Sequence, residues 1–284
     1  MYVADVRKRT LRRVAHLPGN VDTLRWSPDS RQFVFAWTSS APDCEFRAAL
    51  LVADLSGGRL RPVRGIGQPD ARRVLFYGAL GWSPDGEQIL YGADLWDEEC
   101  ELRDQVAGSV LHVSAGGSDA RVVATNDTTF GVEAAWSPDG RLIAFTGVTP
   151  SAVGAARPTG LLVRQFTGLG TKPLEWSRPS DEIYTTELGR TIALRIADGR
   201  RRTIWEYEPP SGCSAEDACS TQIVARSSDR RFLLIAAEDA DFDTGADHVV
   251  VATDGSTEYV LPQPEPTLAA LIADGEVATG FFLS

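Results

Sequence analysis

The sequence is poor in the features that mark membrane, nucleic-acid-binding and metal-binding proteins. No apolar run approaches the roughly 18 residues that a membrane-spanning helix needs, and residues 1–17 contain no uninterrupted apolar segment of signal-peptide length. The 28 Lys and Arg are outnumbered by 39 Asp and Glu, so the net charge is −11 and phosphate binding would work against long-range repulsion. We therefore expect a soluble globular chain with no membrane span and no nucleic-acid partner.

Cysteine and histidine are also scarce. No CxxC pair or nearby histidine gives zinc-ligand spacing to the four cysteines, which are Cys44, Cys100, Cys213 and Cys219. An even number of cysteines favours disulfides and an oxidising compartment, the periplasm or the cell exterior, while the missing export signal leaves the cytoplasm open. We assign no catalytic residue, because no Gly-x-Ser-x-Gly segment occurs and the only histidines are His16, His112 and His248.

What the sequence does contain is an internal repeat. Three near copies of a Trp-Ser-Pro-Asp-Gly motif begin at Trp26, Trp82 and Trp136, and two weaker copies begin at Trp176 and Arg226. Each motif has the residues of a tight turn, since proline fixes φ, aspartate caps backbone amides and glycine accepts positive φ. The motif tryptophans are expected to pack between neighbouring blades rather than to bind a ligand.

Strand-like runs follow each motif at regular distances. The first runs are 33–37, 89–93, 142–145, 183–186 and 232–236, and the second are 51–55, 110–113, 161–164, 192–196 and 249–252. Further short runs such as 121–124, 202–205 and 257–261 follow most of the second runs. Each repeat therefore predicts four short antiparallel strands, a to d, which is the pattern of a propeller blade. Blade three fits least well, because only ten residues separate Phe166 from Trp176.

The two termini are predicted to form one further blade. Residues 1–17 resemble strands c and d, and residues 267–283 resemble strands a and b. A sixth blade composed of 1–19 and 264–284 would close the ring and remove unpaired edges. We therefore predict one all-β domain over residues 1–284, a six-bladed propeller of four-stranded blades that is a monomer.

The repeated Trp-Ser-Pro-Asp-Gly turn resembles that of TolB-type six-bladed propellers, with their WD-repeat-like blades. The resemblance covers the whole chain and implies a periplasmic or extracellular scaffold that binds other proteins. Similar blades also form the gating domains of prolyl-oligopeptidase-like peptidases. The α/β domain that precedes the propeller in TolB has no counterpart here.

Binding residues are expected on the b-to-c loops, because long loops on a rigid scaffold carry function. Three of these loops are long and acidic: 38–47, 94–108 and 238–247. In the second, Trp96 lies among carboxylates and would serve as an apolar anchor for a partner, and the candidate binding residues are Trp96, Asp94, Asp97, Glu98 and Glu99. The alternative is a solvated loop whose tryptophan folds back on its own blade.

The blade-five loop has the alternating carboxylates that suit Ca²⁺, a hard cation that prefers oxygen ligands. The candidate ligands are Asp239, Asp241, Asp243 and Asp247, and the alternative is a plain acidic loop without calcium. In a ring of six, blades two and five would lie opposite each other, so their loops would form an acidic rim around the channel mouth.

Two disulfides are predicted from position. Cys44 and Cys100 each lie 18 residues after a motif tryptophan, so they occupy equivalent loops of adjacent blades. A bridge between Cys44 and Cys100 is expected if these loops lean together, since the two Cα atoms must come within about 7 Å. Cys213 and Cys219 flank a short loop and are expected to pair locally.

The function that these observations favour is a non-catalytic module that binds a protein or peptide through its acidic top face. One alternative is a metal-dependent propeller hydrolase, lactonase or lyase, and another is the extracytoplasmic sensor domain of a larger membrane-anchored protein. No cofactor is expected beyond the calcium alternative.

Overall fold

The computed structural model describes residues 1–5, 8–40, 46–57, 60–63, 73–96, 106–115, 120–126, 133–146, 152–169, 174–187, 189–207, 220–227, 229–238, 247–260, 268–271 and 277–280. Every regular element in these ranges is a β-strand, in agreement with the all-β prediction. The chain divides into two compact units. Unit 1 comprises 1–136, 140–149 and 156–162, and unit 2 comprises 137–139, 150–155 and 163–284.

Unit 1 begins with a hairpin and continues with two four-stranded blades. The hairpin consists of β1 (Tyr2–Asp5) and β2 (Thr10–Arg13). Blade one consists of β3 (Asn20–Trp26), β4 (Gln32–Ser40), β5 (Phe46–Asp54) and β6 (Arg61–Pro62). Blade two consists of β7 (Arg73–Trp82), β8 (Gln88–Trp96), β9 (Val106–Ala115) and β10 (Arg121–Asn126). Each blade is an antiparallel meander, so strands adjacent in the chain are adjacent in the sheet.

Blade three contains the division between the units, and its strands differ from the prediction. They are β11 (Ala134–Trp136), β12 (Ile143–Thr146), β13 (Ala152–Ala156) and β14 (Leu162–Thr167). The run 161–164, predicted as strand c, therefore begins strand d, and that prediction is wrong. The true strand c was missed because its buried sequence AVGAA has one branched residue and no large one. With strand d placed at 162–167, blade three has its full set of strands.

Unit 2 contains two further blades and a terminal hairpin. Blade four consists of β15 (Glu175–Trp176), β16 (Glu182–Glu187), β17 (Arg190–Arg195) and β18 (Arg201–Glu206). Blade five consists of β19 (Ser220–Arg226), β20 (Phe232–Glu238), β21 (Asp247–Ala252) and β22 (Glu258–Val260). The hairpin consists of β23 (Leu268–Leu271) and β24 (Val277–Gly280).

Each terminal hairpin packs against the blade nearest to it in the chain. Met1 and Val3 contact the buried cluster around Phe33 and Phe35 of blade one, and β23 packs against β19 and β20 of blade five. Each hairpin is a two-stranded sheet of its own in the described residues. The composite blade of 1–19 and 264–284 stays a prediction.

The cores lie between consecutive blades. One cluster joins Val34 and Val52 of blade one to Ile89 and Tyr91 of blade two. In unit 2, a larger cluster joins Tyr184 and Trp205 of blade four to branched residues of blade five, among them Ile223, Ile235 and Val249. Successive side chains of a strand point to opposite faces of its sheet. Apolar residues on both faces therefore let a blade pack against each neighbouring blade.

Candidate functional site

The repeated motif forms the turn between the first and second strands of each blade. Its serine is the buried centre of the turn in all five blades, with exposures of 6% or less for Ser27, Ser83, Ser137, Ser177 and Ser227. In blade two, the Ser83 hydroxyl donates to Asp85 Oδ1 at 2.5 Å and accepts the Gln88 N–H at 2.8 Å. Blade five repeats this geometry, with distances of 2.6 Å from Ser227 to Asp229 and 3.0 Å from the Phe232 N–H. These serines were not singled out from the sequence, although their repetition was a sufficient signal.

The motif aspartates cap the turns as expected from the sequence. Asp29, Asp85 and Asp229 each accept a hydrogen bond from the backbone N–H two residues later in the chain. The serine hydroxyl is the main cause that lowers the pKa of each of these carboxyls, and the backbone N–H is the second. The aspartates are therefore ionised turn caps that hold the blade together.

Blade four reaches the same turn by a different arrangement. Pro179 occupies the place of the motif aspartate, and the Ser177 hydroxyl donates instead to Asp181 Oδ1 at 2.9 Å. The Ser177 hydroxyl still accepts the Glu182 N–H at 3.0 Å. The serine is thus the constant element, while its carboxylate partner comes from either of two positions.

The last motif position adopts positive φ in every blade, whether or not it is glycine. The φ angles lie between 57° and 75° for Ser30, Gly86, Gly140, Ser180 and Arg230. The turn therefore imposes the left-handed conformation, and three blades fill it with a residue that has a side chain.

The motif tryptophans behave as packing residues in two of the three clear copies. Trp82 packs against the cluster of blades one and two and donates from Nε1 to the Arg25 carbonyl at 3.1 Å. Trp136 packs with Leu90 of blade two. Trp26 differs, since its side chain is 44% exposed and its ring contacts Phe33 of its own blade at 5.1 Å. In the described part of unit 1, a two-stranded hairpin and not a four-stranded blade precedes blade one in the chain, and Trp26 stays exposed.

At the opposite end of the blades, the hairpins of blades one and two are long. Strands β4, β5 and β8 have nine residues and β9 has ten, whereas β16 and β17 of blade four have six. The sequence predicted a loop at 94–108. In the structure, the β8–β9 pairing continues into this range, because Asp94 pairs with Ser109 and Trp96 pairs with Val106. The loop predicted at 38–47 is likewise shorter than predicted, because Ser40 pairs with Phe46. Three extra residues in each strand lengthen a hairpin by about 10 Å.

Most predicted site residues lie outside the described residues. This holds for Asp97, Glu98 and Glu99, for Asp239, Asp241 and Asp243, and for Cys44, Cys100, Cys213 and Cys219. Asp94 and Trp96 lie near the end of β8, and Asp247 is the first residue of β21. The structure thus gives the strand ends from which the predicted loops arise.

Three arginines that the sequence analysis did not single out depart from the motif. Arg178 stands where blades one to three have proline, Arg226 where the other four blades have tryptophan, and Arg230 at the positive-φ position. Arg226 Nε donates to Glu175 Oε2 at 2.5 Å, and Arg230 Nη1 donates to the Trp176 carbonyl at 2.9 Å. Both side chains therefore reach from blade five to the end of β15 in blade four. We call Arg178, Arg226 and Arg230 the arginine cluster.

Within the described ranges, no group of three or more His, Cys, Asp or Glu is arranged to hold a metal ion. No helix in the same ranges has the length and apolar character needed to cross a membrane.

Comparison with solved structures finds the same fold in several proteins. A protein assigned as TolB from Agrobacterium tumefaciens aligns at a TM-score of 0.55 and 17% identity, over 90% of this chain and 86% of that one. The β-propeller domain of the Trilobed protease from Pyrococcus furiosus aligns at 0.61 and 14% identity, over 94% and 78%. Oligogalacturonate lyase from Vibrio parahaemolyticus aligns at 0.54 and 12% identity, over 88% and 71%. This chain therefore has an all-β fold similar to TolB and other β-propellers.

Sequence comparison adds no closer relation. No protein-family model matches the chain, and no curated protein matches it. The similarity is therefore one of fold. The three proteins that share it are named as a TolB, a protease and a lyase.

Proposed function

We propose that this protein is a non-catalytic propeller module that binds a protein or peptide. The observation that carries the proposal is the length of the hairpins in blades one and two, whose strands have nine or ten residues where those of blade four have six. Ordered strands that project from a packed blade offer a rigid support for binding loops. The resemblance to TolB-type scaffolds supports the same function.

The recognition surface in this proposal is the end of the β8–β9 hairpin. Trp96 ends β8, and the residues that follow it, Asp97, Glu98 and Glu99, continue the acidic sequence that Asp94 begins. An aromatic side chain supplies apolar contact area and the carboxylates attract a basic partner, so the favoured ligand is a basic peptide segment. Its binding should weaken as salt screens the charges.

The test uses hexalysine labelled with a fluorophore, and its affinity is measured by fluorescence anisotropy at 25 and 150 mM salt. We expect Trp96→Ala and the double variant Glu98→Gln, Glu99→Gln each to weaken binding about tenfold. Tyr259→Ala is the matched control, because Tyr259 is an aromatic residue that is 59% exposed on β22. Binding that survives in both hairpin variants, or that is lost equally in the control, refutes the proposed surface.

The calcium alternative has a separate test. Calorimetric titration of the protein with Ca²⁺ should give heat that disappears when Asp239, Asp241 and Asp243 are replaced by Asn, since neutral side chains bind this cation weakly. If the unmodified protein gives no heat, the blade-five loop is a plain acidic loop.

A further inference from the structure

The arginine cluster in unit 2 is concentrated positive charge in an acidic protein. Its three guanidinium groups come from the motif turns of blades four and five, and the described carboxylates in or beside these turns include Glu175, Asp181 and Asp229. The whole chain carries a net charge of −11, so three arginines in the motif turns of two adjacent blades are unusual for it. The cluster lies at the end of blades four and five that is opposite to their own b-to-c hairpins, and it belongs to unit 2, whereas the β8–β9 hairpin belongs to unit 1.

Internal repetition makes this cluster informative. At the proline, tryptophan and positive-φ positions of the motif, five blades provide fifteen residues, and arginine occurs at three of them, all in blades four and five. Two of these choices have a cost to the fold. Arg226 gives up the inter-blade packing of a tryptophan, and Arg230 holds a left-handed conformation at φ 61°.

Other arginines in unit 2 show what a purely structural role looks like. Arg164 donates from Nε and Nη2 to the carbonyls of Ile196 and Ala197, at 3.0 and 2.8 Å. Arg202 donates to the Thr253 carbonyl and to Glu182 Oε2. Arg164 thus ties strand d of blade three to blade four through two carbonyls. Arg202 ties strand d of blade four to blade five through the Thr253 carbonyl and also bonds Glu182 of its own blade.

The cluster is bonded far less completely. Arg226 uses Nε on Glu175, and Arg230 uses Nη1 on a single carbonyl. Arg178 is exposed, and no hydrogen bond or ion pair joins its side chain to another residue in the described ranges. A guanidinium has five N–H groups, so most donors of the cluster have no protein acceptor within the described ranges. Burial lowers the pKa of Arg230, and the charges of Arg226 and Arg178 lower it further, as expected when like charges lie close together.

We propose that the arginine cluster is an anion site that binds a carboxylate of an acidic peptide segment. Carboxylates match the fork of guanidinium donors, and Glu175 already shows that a peptide side chain reaches Arg226 at this place. Arg178 and Arg230 supply the donors for the incoming carboxylate, while Arg226 stays paired with Glu175 and adds positive charge.

The experiment measures the binding of fluorophore-labelled hexaglutamate to the full chain by anisotropy at 25 and 150 mM salt. We expect Arg178→Gln to weaken binding about tenfold and the double variant Arg178→Gln, Arg230→Gly to abolish it, because each removes charge-assisted hydrogen bonds. Arg230→Gly also installs the residue that suits positive φ, so this variant should keep its fold. Arg200→Gln is the matched control, since Arg200 is an exposed arginine on the same unit and the charge change is identical.

Loss of hexaglutamate binding in the cluster variants but not in Arg200→Gln supports the site, whatever the hexalysine experiment shows. No binding by the unmodified protein, equal loss in the control, or unchanged binding in the double variant overturns it. Binding of inorganic phosphate or trigalacturonate without binding of hexaglutamate overturns the assignment to an acidic peptide.

Discussion

The buried serine of the motif turn should contribute strongly to the stability of the blade. Ser83 is 3% exposed, and its hydroxyl serves two backbone-linked partners at once, Asp85 Oδ1 at 2.5 Å and the Gln88 N–H at 2.8 Å. Replacement by alanine removes both hydrogen bonds without a change in backbone preference. We therefore expect Ser83→Ala to destabilise the protein.

The expected size follows from the two partners. A hydrogen bond to an ionised group contributes about 1.5 to 3 kcal/mol, and a buried N–H left without an acceptor costs about 1 to 3 kcal/mol. Asp85 is exposed and Gln88 is only half-buried, so water replaces part of both contributions. The expected loss in the free energy of unfolding is about 3 kcal/mol, near the top of the range for point mutations.

Urea unfolding followed by tryptophan fluorescence and circular dichroism measures this loss. The matched control is Ser56→Ala, because Ser56 is exposed and its hydroxyl makes only a 3.5 Å contact with the Gly57 carbonyl. The control should change stability by less than about 0.5 kcal/mol. If Ser83→Ala also falls within about 1 kcal/mol of the unmodified protein, the serine is not the centre of the turn.

The same turn predicts a pH dependence with a definite sign. The hydrogen bond from Ser83, and after it the Glu87 N–H, lower the folded-state pKa of Asp85 from 3.8. A lowered pKa gives stability that is present above 3.8 and is lost as the pH falls through the folded value. The difference in stability between the unmodified protein and Asp85→Ala should therefore be constant from pH 7 to 5 and shrink below about pH 4. A difference that grows as the pH falls would contradict this assignment.

Three further substitutions test the backbone and the core by the same unfolding measurement. Ser30→Gly should stabilise the protein by up to about 1 kcal/mol, because Ser30 is exposed at φ 57°, and a loss would mean that its side chain supports the turn. Gly160→Ala should cost clearly more than Gly57→Ala, since a Cβ at Gly160 meets the Val122 carbonyl oxygen at 2.8 Å and one at Gly57 meets nothing within 4 Å; equal costs would leave φ as the only cause. Thr221→Val should stabilise by about 1 kcal/mol, because the buried Thr221 hydroxyl has no hydrogen-bond partner among the described residues, and a loss would indicate a bound water.

The sequence predicted the strands of most blades because their spacing repeats from one motif to the next. The runs at 33–37, 89–93, 183–186 and 232–236 all fall within observed second strands. A single short apolar run predicts a strand only weakly. The prediction becomes strong here because four such runs recur at nearly constant distances from one recognisable turn. This is why the fold could be inferred although no family model matches the chain.

Prediction failed where the repeat loses its apolar side chains or extends past its usual length. The strand Ala152–Ala156 is buried but consists mostly of small residues. The hydrophobic pattern therefore missed it, and the run 161–164, which begins strand d, was predicted as strand c. The β8–β9 hairpin continues to Trp96 because backbone pairing does not require apolar residues, and acidic sequence was interpreted as loop. Both errors arise from equating a strand with a run of large apolar side chains.

The candidate sites show a second limit, because a repeated motif draws attention to the residues that recur. Tryptophan and aspartate recur for packing and capping, and the structure assigns them those roles in most copies. Residues that break the pattern are better indicators of a specific use, provided that the fold brings them together. Arg178, Arg226 and Arg230 break it at three different motif positions, and two of them reach the same strand end of blade four. Their convergence needed the structure, since the sequence separates Arg178 from Arg230 by a whole blade.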